Sequence, residues 1–121
     1  MAAIEVWQAA TEARPLALSG GLADVLRALP AALARMGHPV RRFLPAYGSV
    51  DRAGFAPDPP GLKVPLGPDG IPVRFLSRVE PDGVVTTLVE CDELFGRPEI
   101  YGPPGGEFPD NARRFTLFAR A

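Results

Sequence analysis

Cysteine and histidine are almost absent: Cys91 and His38 are the only residues of either kind. A single cysteine excludes an internal disulfide and a cysteine-based zinc site, and it suits a reducing compartment. A single histidine means that any Ser-His-Asp, Cys-His or multi-histidine chemistry held within these residues has to pass through one imidazole. Charge of one sign is missing too. Lys+Arg 13 against Asp+Glu 14 leaves a net charge of -1, which excludes generic binding to nucleic acid or anionic lipid as a default. No stretch approaches the roughly 18 uncharged apolar residues of a membrane span, and the start Met1-Ala-Ala-Ile-Glu-Val-Trp7 lacks the basic-then-apolar pattern of an export signal. A cytoplasmic protein with no metal and no cofactor is the expectation.

What is present is a chain of 121 residues, 46% apolar, enough for one globular domain with a core. Gly 13 and Pro 15 cluster between apolar segments and predict long, rigid loops. Ile4 to Ala10 reads as a buried strand around Val6 and Trp7. After an irregular loop around Pro15, Gly20-Gly21 opens a segment in which Leu22, Val25, Leu26, Leu29, Leu33 and Met36 recur at helical spacing. The stripe Leu22, Val25, Leu29, Leu33 and Met36 is expected to be core packing. Gly37 is the expected helix stop, and Pro30 inside the helix is a possible kink.

Val40 to Leu44 reads as the next strand, so strand, glycine loop, helix and strand follow in the order that builds parallel sheets. Pro45 to Pro60 loses all periodicity and reads as a loop over the strand ends. Pro68-Asp69-Gly70 and Pro81-Asp82-Gly83 then read as turns separating Leu62 to Leu66, Ile71 to Val79 and Val84 to Glu90, an antiparallel excursion. Cys91 to Phe95 allows one helical turn, and a helix begins at Asp110-Asn111 and runs to Ala121, where the chain reads as cut off. The fold class is α/β: a partial parallel sheet with an antiparallel strand excursion in a three-layer α/β/α arrangement.

Gly20 and Gly21 place two residues without side chains ahead of a helix whose first N–H groups lack partners. A diphosphate suits that position, because the helix end carries roughly half a positive charge and glycine allows close backbone approach. A purely structural turn fits the same residues, since Gly-Gly is not the Gly-x-Gly-x-x-Gly fingerprint.

The stretch from Thr11 to Val25, Leu29-Pro30-Ala-Ala-Leu33, Gly37-His38 and Leu44-Pro-Ala-Tyr47-Gly48 resembles the start of bacterial glycogen synthases and plant starch synthases. Glu93-Leu-Phe-Gly-Arg-Pro98, Ile100-Tyr-Gly102 and Pro109-Asp-Asn-Ala-Arg-Arg-Phe115 resemble that family's second block. The resemblance covers essentially the whole chain and implies a single incomplete N-terminal Rossmann-like domain over 1–121. It implies retaining transfer of glucose from ADP-glucose or UDP-glucose to the non-reducing end of an α-1,4-glucan. It also implies a donor-phosphate loop at Gly20 and Gly21, and a cleft bordered by Asp24, Asp110, Asn111 and Arg114. The nucleotide sugar is held mostly by a second domain in that family. No catalytic residue is assigned within these 121 residues, because the family's downstream histidine motif is not among them.

Two positions depart from the pattern. The family's loop reads Lys-x-Gly-Gly-Leu, with the lysine placed against the donor phosphates, whereas this chain has Leu18-Ser19-Gly20-Gly21-Leu22, and Arg14 is the nearby cation. Phe108 stands where the family often has tyrosine. Each site residue also has a plainer role. Asp24 suits the helix dipole, Asp110 and Asn111 suit a helix cap, and Arg114 suits a solvated helix face. His38 fits a loop or C-terminal cap, Cys91 fits a small buried hydrophobe, and Tyr47, Phe95 and Tyr101 fit either sugar stacking or packing under the loops. The alternative to an enzyme part is a non-catalytic module for glucan binding, regulation or assembly. A sheet with few strands leaves an edge and an apolar face uncovered, so homo-oligomers are expected.

Overall fold

The computed structural model of the chain describes residues 2–121. Its strands are β1 (Val6–Ala9), β2 (Val40–Pro45), β3 (Ala56–Pro57), β4 (Leu62–Leu66), β5 (Asp69–Val79) and β6 (Val85–Glu90). The helices are α1 (Leu22–Arg35), α2 (Asp92–Phe95) and α3 (Asn111–Arg120). The sheet runs β1-β2-β6-β5-β3, with β4 paired to β5 off that path. β1, β2 and β6 are parallel, whereas β5 is antiparallel to β6, β4 and β3. This is the expected α/β arrangement, a parallel core with an antiparallel excursion.

The long strand β5 belongs to two ladders. Arg74 to Val79 pair with β6, and Asp69 to Val73 pair with β4. The sequence placed the first turn at Pro68-Asp69-Gly70. Its apex is Gly67-Pro68 instead, with Gly67 at φ 63 and Asp69-Gly70 already laddered against Leu66 and Pro65. The glycine with positive φ sets the apex, because that conformation is open to glycine at little cost. The Pro45 to Pro60 segment is likewise not all loop, since Ala56 and Pro57 pair with Ser77 and Leu76. Two residues are too few to show a strand period.

Helix α1 corrects the expected core. Ala23, Leu26 and Pro30 are the buried residues, whereas Leu22, Val25, Leu29 and Met36 are exposed, Met36 by 67%. The described residues leave that apolar stripe without cover. Gly37 ends the helix as expected, at φ 90. The helix is continuous through Pro30. Proline has no N–H for the Leu26 carbonyl one turn earlier, and Arg42 Nη1 supplies the missing donor at 3.0 Å. Arg42 Nε also donates to Thr86 Oγ1 at 2.8 Å, and Nη1 to the Arg14 carbonyl at 3.0 Å. A 95%-buried arginine on β2 thus ties α1, the loop after β1 and β6 together.

Strand alternation sends Arg42 toward α1 and Phe43 to the opposite face, where Phe43 meets Trp7 at 5.4 Å between ring centroids. Leu44, Tyr47, Val64, Leu88, Phe95 and Leu117 are fully buried. Cys91 joins that core, and burial pushes its thiol up, as expected of an inert small hydrophobe. His38 sits just past α1, where its Nδ1 accepts the Ile4 N–H at 3.1 Å.

Candidate functional site

The loops after β1, β2 and β6 leave the carboxyl ends of the parallel strands, the place where open α/β sheets gather ligand-binding residues. Three loops meet there around Glu12. Its Oε1 accepts the backbone N–H groups of Ser19 at 2.7 Å and Gly20 at 2.9 Å, and its Oε2 accepts the Tyr101 hydroxyl at 2.7 Å. Tyr101 is also 2.7 Å from Thr11 Oγ1, and the Tyr47 hydroxyl donates to the Thr11 carbonyl at 2.8 Å. Glu12 is 5% exposed. Burial by itself raises its carboxyl, but the Tyr101 hydroxyl and the Ser19 and Gly20 amides more than offset this, and the group ends below its ordinary value. The same burial raises the Tyr47 and Tyr101 hydroxyls, Tyr101 with help from its bond to Glu12.

Glu12 was not singled out from the sequence. Its only visible signal is a carboxylate in the mostly apolar stretch ahead of the glycine pair, and the partners that explain it lie up to 89 positions away. In the fold it presets the glycine loop, because two of the loop's amides already point at a fixed charge. The Gly21 amide is free of any such bond among the described residues.

The glycines carry a second observation. Gly21 lies at φ -69 and ψ -22, a conformation open to every residue, and Gly20 has no positive φ either. A Cβ on Gly20 or Gly21 would meet nothing within 4 Å. Neither the backbone nor the packing of these residues needs glycine there. Open space beside the loop is what glycine preserves. Leu18, where the resemblance puts lysine elsewhere, is 45% exposed beside it.

The other predicted site residues divide. Asp24, in the first turn of α1, holds its carboxylate against Arg14 Nε, so Arg14 is not free to replace a loop lysine. Asp110 precedes α3 but makes no side-chain cap bond. It takes a two-pronged bond from Arg97, at 2.7 Å for each prong, which holds its carboxyl below the usual range. Asn111 Nδ2 donates to the Tyr101 carbonyl at 2.8 Å, and its Oδ1 accepts Arg114 Nη1 at 2.8 Å. Asp110 thus takes the N-cap position read from the sequence, but neither side chain caps the helix, because Arg97, Tyr101 and Arg114 take the groups that would bond the local amides. Asp110→Asn is expected to cost no more than about 1 kcal/mol by urea unfolding, because the pair is partly exposed.

Arg114 is fully buried, with no solvated face. Its Nε donates to the Leu94 carbonyl at 2.6 Å and Nη1 to the Ile100 carbonyl at 2.8 Å. The guanidinium lies among the rings of Phe95, Phe108 and Phe115. Burial and then the nearby Arg97 lower its proton affinity. Gly20 and Asn111 are thus linked through Glu12 and Tyr101, with Arg114 pinning the segment that carries Tyr101. Tyr47 and Phe95 are wholly buried and pack edge to face at 5.9 Å, so they serve packing and not sugar stacking.

A profile described as the starch synthase catalytic domain matches residues 5–121. The chain belongs to this family. Relatives within it include Glycogen synthase 2 of Geobacter metallireducens, 43% identical over 98% of this chain and 25% of the relative. A glycogen synthase of Geotalea uraniireducens is 42% identical over 92% of this chain and 23% of the relative. The solved catalytic domain of Starch Synthase IV from Arabidopsis thaliana, bound to ADP and acarbose, superposes with a TM-score of 0.84 at 26% identity. It is covered over 24% of its length by 98% of this chain. The mixed sheet is accordingly part of the Rossmann-like fold of the starch synthase catalytic domain. The chain spans about a quarter of the length of these family members. Among the described residues, no group of three or more His, Cys, Asp or Glu side chains is placed to hold a metal, and no helix is long and apolar enough to cross a membrane.

Proposed function

We propose that this chain is the acceptor-side N-terminal part of a glucan-elongating glycosyltransferase. In this reading glucose passes from ADP-glucose or UDP-glucose to the end of an α-1,4-glucan, and residues beyond these 121 complete the site. The observation that carries it is the open space beside Gly20 and Gly21. Two glycines whose conformation and packing do not require glycine, next to a preset loop and the free Gly21 amide, suit the close approach of a diphosphate. Asp24 borders that position, and Asp110, Asn111 and Arg114 act from the wall that carries Tyr101. The 121 residues by themselves are expected to transfer no glucose. Incorporation from ADP-glucose into glycogen by the isolated chain would overturn this.

The loop role has its own test. Gly20→Ala is expected to leave stability within about 1 kcal/mol, because its Cβ meets nothing, while weakening ADP binding measured by calorimetry. Leu18→Lys is expected to strengthen ADP binding about tenfold to a hundredfold, the worth of one charge-assisted contact. Equal ADP binding by all three proteins would remove the loop from the site. Leu18 also favours a second reading, a non-catalytic glucan-binding or assembly module with no need of a phosphate cation. Glucan binding with no response to ADP, in both the original chain and Leu18→Lys, selects that reading.

We infer further that the protein works in the cytoplasm and self-associates. Strand β1 is a sheet edge, and the face opposite α1 opens a groove of about 670 Å³ lined by Trp7, Phe43, Phe75 and Phe118. The exposed α1 stripe adds a second apolar surface. Light scattering at high concentration is expected to give a dimer or larger species, and a monodisperse monomer would contradict this.

A further inference from the structure

On the α1 face of the sheet a cavity of about 230 Å³ opens between the loop after β1, the middle of α1 and the β5–β6 turn. Its polar lining is Arg14, Arg27, Arg42, Glu80 and Asp82, and it shares none of Gly20, Gly21, Asp24, Asp110, Asn111 or Arg114. Arg42 contributes the buried cation. Its Nε and Nη1 are spent on Thr86, Leu26 and Arg14. Its Nη2 has no partner among the described residues. It is not sealed in either, unlike the unpartnered Gln8 Oε1 and Arg114 Nη2.

The charges around it are unequal. Arg42 makes no ion pair among the described residues, and exposed Arg27 makes neither an ion pair nor a hydrogen bond. Arg14 is balanced by Asp24. Glu80 gives both carboxylate oxygens to Arg78. Asp82 uses Oδ1 to accept the Val84 amide. Two cations without acid partners therefore face one cavity against a single acid not neutralised by a cation. Burying a guanidinium is costly, and burial lowers the proton affinity of Arg42 even though the nearby Glu80 and Asp82 carboxylates offset part of that cost. An anion relieves that cost at Nη2, the one nitrogen of the Arg42 guanidinium not already hydrogen-bonded.

The geometry points to this cavity as a binding site for a small phosphoryl-bearing anion, held on Arg42 Nη2 with Arg27 at the rim. The volume lies below the roughly 300–1,000 Å³ of drug-sized pockets, which suits a small ion. The phosphoryl group supplies two negative charges and several acceptors to a site rich in unspent donors. Asp82 works against it and sets its affinity.

Titration of the protein with inorganic phosphate at low ionic strength, followed by nitrogen-15 NMR at Arg42 Nε and the Val84 amide, tests the assignment. Both signals are expected to move saturably, and to stay unmoved in chloride of matched ionic strength. Arg27→Ala is expected to weaken phosphate binding by up to about fivefold and Asp82→Asn to tighten it by a similar factor. Both positions are outside the buried hydrogen bonds of Arg42, so both variants should fold. Arg42→Lys, which keeps the charge and removes Nη2, is expected to weaken binding about tenfold. Shifts that follow ionic strength alone, or phosphate affinity unchanged in both Arg27→Ala and Asp82→Asn, would overturn the proposal and leave Nη2 as a solvated donor.

Discussion

Glu12→Leu is expected to destabilise the protein by roughly 3 kcal/mol and to free the Ser19 and Gly20 amides for hydrogen exchange. The carboxylate accepts two backbone amides and one hydroxyl at a position 5% open to solvent. Hydrogen bonds to a charged group contribute about 1.5–3 kcal/mol each, and because Ser19 and Gly20 are exposed, water recovers part of the loss when the carboxylate is removed. Leucine fills most of the volume but none of those bonds. Urea unfolding gives the stability, and exchange at Ser19 and Gly20 reports the loop. Exchange unchanged at those amides would show that the glycine loop is held by other contacts.

The pH dependence separates the charge from the shape. The folded carboxyl of Glu12 titrates below its ordinary value of 4.5. Its contribution is therefore fully present above that value and is lost as pH falls through the lower folded value. Glu12→Gln keeps the side chain's shape and removes this titration. The stability difference between the original chain and Glu12→Gln is expected to shrink on acidification below about pH 4.5. A difference constant across that range would assign Glu12 a packing role alone.

Arg42→Met is expected to cost about 3 kcal/mol, and Pro30→Ala is expected to return part of it. Arginine serves the Leu26 and Arg14 carbonyls and Thr86 from inside the sheet–helix interface. Methionine leaves those acceptors buried without donors. Alanine at position 30 restores a backbone N–H for Leu26. The double variant is therefore expected to lose less stability than the two single changes summed, with a coupling of about 1 kcal/mol in urea unfolding. Strict additivity would show that Arg42 does not serve the carbonyl that Pro30 leaves free.

Much of the architecture was legible because its signals are local. Helical spacing from Leu22 to Met36 and the glycine stop at Gly37 marked α1, and the short apolar runs between turn residues marked β4, β5 and β6. Paired family motifs marked the fold. The failures share a cause as well. Leu22, Val25, Leu29 and Met36 form a stripe at helical spacing, but the face turned to the sheet is Ala23, Leu26 and Pro30. Spacing gives a helix two apolar directions here, and only the neighbouring sheet chooses between them. Asp110 and Asn111 have cap chemistry, yet Arg97 and Tyr101 from the preceding loop and Arg114 from the next turn of α3 claim their side chains.

The chain alone determined the class of its elements, their order and its membership in the starch synthase catalytic-domain family, because periodicity, turn residues and ordered motifs are properties of neighbours along the chain. Tertiary structure decided which of those residues act together. Glu12 became the anchor of the glycine loop only when Tyr101 arrived 89 positions later. Arg42 became the partner of a proline-freed carbonyl only when β2 lay against α1. Burial supplies the physical reason: a charged group inside the fold must find its hydrogen-bond partners wherever the fold brings them, and sequence distance places no limit on where that is.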